Sequence, residues 1–152
     1  MPPNLFALPS DMGHRGREAS DPPAPVMVVE DDDVHRGELR DTLAEEGYEV
    51  VAAANGKEAL EYLIDRRRRR PAMILMDLSM PVMTGWELLA VIKSYVRLAN
   101  IPVLLLSGVD PQLDPVKHGT VTAFLRKPYD LAKLLEIVAR YTDAPGASAS
   151  DR

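Results

Sequence analysis

The sequence predicts a doubly wound α/β domain, with five parallel strands in one sheet and helices on both faces. Three observations carry this expectation. Short apolar runs alternate with longer amphipathic stretches, the order of repeated strand–helix units. Most of the runs are continuously apolar rather than alternating, which marks strands covered on both faces. The intervening stretches place apolar residues at helical spacing, and several open on capping residues.

The first run is Val26-Met27-Val28-Val29. Glu30, Asp31, Asp32 and Asp33 come directly after it, and Asp33 is suited to cap a helix carrying Leu39 and Leu43. The second strand lies within Tyr48 to Ala52, at Val50-Val51-Ala52. Asn55-Gly56-Lys57-Glu58 pairs a cap with a glutamate three residues on, and leads into Leu60, Leu63 and Ile64. Met73-Ile74-Leu75-Met76 is the third strand. Thr84-Gly85-Trp86-Glu87 has the form of a capping box and opens the stripe Leu88, Leu89, Val91, Ile92, Tyr95 and Val96. Val103-Leu104-Leu105-Leu106 is the fourth strand. Pro111 and Pro115 interrupt the segment after Ser107, so the fourth helix is expected to be short or irregular. Ala123-Phe124-Leu125 is the fifth strand, and Leu131, Leu134, Leu135, Val138 and Tyr141 form the last apolar stripe. Short right-handed connections then wind the five units into one sheet.

Length and composition bound the function. A chain of 152 residues holds one ordinary domain with tails. The first 25 residues carry six of the thirteen prolines, so residues 1–24 are expected to be a disordered tail. Residues 143–152, rich in Ala, Ser, Gly and Asp, are expected to be another, leaving a domain over 25–142. The absence of cysteine excludes disulfide scaffolds, thiolate zinc sites and cysteine nucleophiles. His14, His35 and His118 stand at no metal-binding spacing, and His35 and His118 read as isolated surface groups. A net charge of −5 argues against nucleic acid or an anionic membrane as partner. No apolar run approaches spanning length and no secretory pattern opens the chain, so a cytoplasmic location is expected.

Open parallel sheets bind ligands outside the carboxyl ends of their strands. The first run ends at Glu30 and Asp31, the third at Asp77, the fourth at Ser107 and the fifth at Arg126, Lys127 and Pro128. Helix capping alone accounts for part of the first acidic cluster. It does not account for an acid, a hydroxyl and a lysine closing three other strands. Converging carboxylates repel one another unless a cation sits among them, and a hard all-oxygen site with few protein ligands suits Mg2+. Mg2+ and the Lys127 ammonium together can neutralise a phosphoryl group, and a carboxylate nucleophile there can form an acyl phosphate.

These residues carry a family resemblance. Val28-Val29-Glu30-Asp31-Asp32, Met76-Asp77-Leu78-Ser79-Met80-Pro81-Val82-Met83-Thr84-Gly85, Leu106-Ser107-Gly108 and Arg126-Lys127-Pro128-Tyr129 resemble the receiver domain of two-component response regulators. The resemblance runs from about Val26 to Tyr141 and implies a flavodoxin-like sheet. It implies that Asp77 is the phosphoacceptor, loaded by a histidine kinase or histidine phosphotransfer protein. It further implies Mg2+ held by Glu30, Asp31, Asp77 and the backbone carbonyl of Ser79, with Glu30 acting mainly through water. Ser107 and Lys127 would contact the phosphoryl group, Ser107 and Phe124 would form the switch, and Lys127-Pro128 would often be cis. Four features depart from the commoner pattern: Glu30 for Asp, Ser107 for Thr, Phe124 for Tyr, and a compressed segment between Ser107 and Lys127.

The expectation is a stand-alone receiver that signals to an unknown downstream protein, with no further domain after Tyr141. A haloacid-dehalogenase-like phosphatase is the alternative, since Asp31-Asp32-Asp33-Val34 resembles that family's opening motif. It leaves the segment from Asp77 to Gly85 unexplained. A phosphorylation-independent binding module is the third reading, disfavoured by the complete set of acids, hydroxyl and lysine. The run Arg66 to Arg70 reads as a solvated helix end in the loop before the third strand, Trp86 as partly exposed packing, and most methionines as core filler.

Overall fold

The computed structural model describes residues 23–80, 82–108 and 121–142. The elements run β1 (Val26–Val29), α1 (Asp33–Glu45), β2 (Val50–Ala53), α2 (Gly56–Ile64), β3 (Met73–Asp77), α3 (Gly85–Ser94), β4 (Val103–Ser107), β5 (Ala123–Arg126) and α4 (Leu131–Tyr141). All five strands are parallel, in the order β2-β1-β3-β4-β5. The expected tails, and the short or irregular helix expected around Pro111 and Pro115, lie outside the described residues.

Strand periodicity sorts the core into two layers. Val26, Val28, Met73, Leu75, Leu104 and Leu106 pack with Leu39 and Leu43 of α1 and with Leu134, Ile137 and Val138 of α4. Met27, Val29, Ile74, Met76, Val103 and Leu105 pack on the other face with Ala59 and Leu63 of α2 and with Leu88, Leu89 and Ile92 of α3. Both faces of β1, β3 and β4 are therefore dry, which is why their sequences are unbroken apolar runs. Full burial of each such side chain contributes on the order of 1.5–3 kcal/mol. The edge strands β2 and β5 are partly exposed and less apolar. Four methionines, Met27, Met73, Met76 and Met80, are core residues, whereas Trp86 is 40% exposed.

Local capping fixes where each helix starts. Asn55 accepts from the Glu58 N–H at 2.9 Å, and Glu58 accepts in turn from Ala54 N–H. Thr84 and Glu87 form the full capping box. The cap of α1 is one residue earlier than expected. Asp32, in extended conformation, accepts from His35 N–H at 2.9 Å, while Asp33 is already helical and pairs with Arg36. Helix α2 stops at Ile64, so the arginine run lies in the loop beyond it. Asp65 pairs with Arg67 and Arg68, and Arg69 with Glu49. No helix among the described residues is long and apolar enough to cross a membrane.

Candidate functional site

The carboxyl edge of the sheet is built by extending its own hydrogen-bond ladder. Glu30 N–H donates to Ala53 carbonyl at 3.0 Å, Leu78 N–H to Leu106 carbonyl at 3.0 Å, and Lys127 N–H to Ser107 carbonyl at 2.7 Å. Glu30, Asp77, Ser107 and Lys127 are thereby held at the carboxyl ends of neighbouring strands, Ser107 one residue and Lys127 two residues beyond the register level of Asp77. Asp77 and Ser107 are the last residues of β3 and β4, and both are buried, as is Glu30. Asp31 is exposed at the rim. The loop from Asp77 to α3 is tight: Gly85 N–H donates to Leu78 carbonyl at 2.9 Å, and Val82 takes a positive φ of 72°. The Lys127-Pro128 peptide is cis.

Lys127 ties the two buried acids together. Its Nζ lies 3.1 Å from Glu30 Oε1 and 3.3 Å from Asp77 Oδ2. Asp77 Oδ1 accepts from the Ser79 N–H at 3.2 Å. Burial and the neighbouring Asp77 push the Glu30 carboxyl above its usual range, against the pull of His35 and Lys127. Burial alone would lower the Lys127 ammonium; Glu30 and Asp77 outweigh it and raise its pKa. One carboxylate oxygen each from Glu30, Asp31 and Asp77 lie within 4.8 Å of one another. Glu30 Oε2 is buried with no hydrogen-bond partner among the described residues. A hard cation fits this donor set: it is all oxygen, doubly or triply anionic, and leaves one buried lone pair unmet.

Strand alternation places Ser107 on the same face as Phe124, whose register partner is Leu105. Phe124 is half-buried against the core layer under α2 and α3. Glu30, Asp31, Asp77, Ser107 and Lys127 therefore come together at one sheet edge, with Phe124 on an adjacent strand below them. Ser79 lies in the loop after Asp77.

His35 corrects the sequence reading, in which it was an isolated surface group. Its Nδ1 bonds Glu30 Oε1, and its Nε2 lies 2.7 Å from the Tyr129 hydroxyl. Burial, then Glu30, raises the Tyr129 phenol to about 12. The signal available in the sequence was positional. His35 stands in the first turn of the helix after the acidic strand end, and Tyr129 two residues past Lys127. Both border a cavity of about 920 Å3 that also touches Asp31, Glu38, Leu39 and Thr42.

Comparison with known proteins agrees with this geometry. Residues 26–139 match the response regulator receiver domain family. The polar-differentiation response regulator DivK of Brucella anthropi is 31% identical over 121 residues, covering 78% of this chain and 96% of DivK. A response regulator receiver protein from Pseudomonas putida superposes with a TM-score of 0.68 at 31% identity, covering 79% of this chain and 98% of that one. The receiver domain of a sensor histidine kinase from Pseudomonas aeruginosa PAO1, solved with a magnesium ion coordinated in its active site cleft, gives a TM-score of 0.67. It is 25% identical and covers 79% of this chain and 98% of its own.

Proposed function

The chain belongs to the response regulator receiver family, and from that premise we propose that it accepts a phosphoryl group on Asp77 and signals through protein contacts. Members of this family are signalling proteins rather than enzymes acting on a separate substrate. The observation that carries the reading is the placing of Asp77: a buried carboxylate ending a central strand, 3.3 Å from Lys127 and clustered with Glu30 and Asp31.

The donor is a phosphohistidine on a histidine kinase or histidine phosphotransfer protein. A carboxylate oxygen of Asp77 attacks the phosphorus, the P–N bond breaks, and its electron pair stays on the imidazole nitrogen. The product is an acyl phosphate, which water later cleaves to aspartate and phosphate. Lys127, already beside Asp77, keeps its ammonium near the new phosphoryl oxygens, and the Ser107 hydroxyl donates to one of them. Glu30, Asp31, Asp77 and the Ser79 carbonyl would hold Mg2+, which when bound supplies positive charge opposite the phosphoryl oxygens. Ser107 drawn toward the phosphoryl group changes the packing space of Phe124, on the same face of the sheet. The acidic rim and the net charge of −5 favour protein partners over nucleic acid.

The phosphatase-like alternative makes Asp31 the nucleophile. Asp31 is exposed, and Lys127 contacts Glu30 and Asp77 instead. The test is incubation with acetyl phosphate and Mg2+, trapping of the acyl phosphate and mapping by mass spectrometry. The label is expected on Asp77 and absent in Asp77→Asn. A label on Asp31, or one that survives Asp77→Asn, overturns the assignment. Melting with and without Mg2+ tests the metal: a hundredfold excess over the dissociation constant stabilises by roughly 2.7 kcal/mol, and Asp31→Asn should abolish the rise.

A further inference from the structure

Glu30 is not free to choose which of its oxygens meets a ligand. Oε1 is engaged twice, by His35 Nδ1 and by Lys127 Nζ at 3.1 Å. Oε2 is buried and has no partner among the described residues. Being a carboxylate oxygen, Oε1 can only accept, so Nδ1 must carry the hydrogen of that bond. In a neutral imidazole Nε2 is then an acceptor, and the hydroxyl of Tyr129, 2.7 Å away, is the group that can donate to it. The two rings are 6.0 Å apart and tilted by 39°, so they meet through this hydrogen bond rather than by stacking. The chain Tyr129 Oη–H to His35 Nε2, then His35 Nδ1–H to Glu30 Oε1, spans α1 and the loop entering α4.

We infer that His35, oriented by Tyr129, is a positioning residue that fixes the Glu30 carboxylate and leaves Oε2 as the oxygen offered to the cation or its water. The inference rests on the reading of Glu30, Asp31 and Asp77 as a Mg2+ site. Glu30 has one more rotatable bond than aspartate, and a longer carboxylate needs a second anchor to present one oxygen reproducibly. Lys127 alone is a poor anchor, because it is shared with Asp77 at 3.3 Å. Partners of this kind, one shell out from the ligands, are worth about 10–100-fold in metal affinity.

The test uses the full chain as parent, His35→Ala, His35→Asn, Tyr129→Phe, His35→Ala/Tyr129→Phe and Asp31→Asn. Mg2+ affinity is read by calorimetry, melting is followed in chelator, and the His35 ring nitrogens are followed by 15N NMR in metal-free protein. The parent spectrum is expected to show the Nδ1–H form. His35→Ala is expected to weaken Mg2+ binding by about tenfold or more. His35→Asn, which keeps an N–H close to the Nδ1 position, is expected to recover most of that loss. Tyr129→Phe is expected to cost affinity in the parent and nothing further once His35 is gone. A purely structural role would lower melting in chelator and leave affinity unchanged, and that overturns the inference. So does an Nε2–H spectrum, or a Tyr129→Phe loss that persists without His35. Should His35→Ala not fold, His35→Asn and Tyr129→Phe give the same comparison. If the parent binds and Asp31→Asn does not, an unchanged His35→Ala refutes this inference alone. A parent that binds no Mg2+ overturns it together with the reading beneath it.

Discussion

Replacing Gly85 with alanine sets two effects of opposite sign against each other. Gly85 is the first residue of α3, and inside a helix alanine is favoured over glycine by about 1 kcal/mol, less at an end. Propensity alone therefore predicts a slightly more stable protein. Packing predicts the reverse. A Cβ on Gly85 would lie 2.6 Å from the Asp77 carbonyl oxygen, 2.9 Å from Leu78 Cα and 3.2 Å from the Leu78 carbonyl oxygen. These are backbone atoms, so no rotamer change relieves the contact. Relief requires α3 to move off the end of β3, stretching the 2.9 Å bond from Gly85 N–H to Leu78 carbonyl. Overpacking of this kind costs about 1–3 kcal/mol. The net expectation is a loss of about 1–2 kcal/mol, or a fall in Tm of roughly 5 °C for a domain this size. Gly56 gives the control. Its added Cβ would meet Met83 Cβ, Cγ and Sδ, each at 2.9 Å; Cγ and Sδ can rotate away and only the Cβ contact needs a small shift of the loop carrying Met83, so Gly56→Ala should lose less. Urea and thermal unfolding of the three proteins decide the matter. A Gly85→Ala protein as stable as the parent, or more so, would show that propensity wins and that the close approach at Asp77 is not a constraint.

Three further outcomes are expected. Val82 holds φ at 72° while 78% exposed, a conformation that costs a β-branched residue roughly 1–2 kcal/mol. Val82→Asn should therefore raise the urea midpoint, by an amount equivalent to about 1 kcal/mol, and a lower midpoint would contradict the strain. Tyr129, held at about 12, should be the last tyrosine to ionise in an absorbance titration at alkaline pH, and Tyr129→Phe should delete that last phase. Because its folded pKa lies above the unfolded value of about 10, its contribution to stability is complete below pH 10 and is lost as pH rises through 12. Unfolding midpoints of parent and Tyr129→Phe should converge across that window, and parallel curves would refute it. Lys127→Ala should fold but lose about 1–3 kcal/mol at neutral pH, since it leaves Glu30 and Asp77 facing each other with one less cation; an unchanged midpoint in urea would count against the bridge.

The two-sided burial of β1, β3 and β4 was legible because unbroken runs such as Val103 to Leu106 have few other stable uses. The caps at Asn55 and Thr84 were legible because their chemistry is local. The cap at Asp32 was misplaced by one residue for a local reason too: four consecutive acids offer several capping side chains, and only backbone conformation selects among them. Strand ends were harder. Asp77 and Ser107 belong to β3 and β4 because their neighbours on the next strand still pair with them, a property of register that no window of sequence contains. His35 was missed because its partner Tyr129 is 94 residues away. A single histidine carries no spacing signal, and its role is set by the fold bringing α1 and the loop before α4 against the same carboxylate.

The lateral bonds that continue the sheet past Glu30, Leu78 and Lys127 turn the strand repeat into a ruler. Adjacent strands stand roughly 4.8 Å apart, and that interval is a constant of the peptide backbone rather than a variable of this protein. The anchor points of the acids, the hydroxyl and the ammonium are thus quantised: a side chain can be exchanged, but its Cα stays on its mark. What remains adjustable is reach. Glutamate at position 30 extends about 1.5 Å further than aspartate from the same mark. On a fixed grid that surplus length must be folded sideways, and His35 stands where the fold leads. A change of side-chain length at one mark therefore selects for a companion at another, so substitutions at positions 30, 35 and 129 should be read as one variable rather than three.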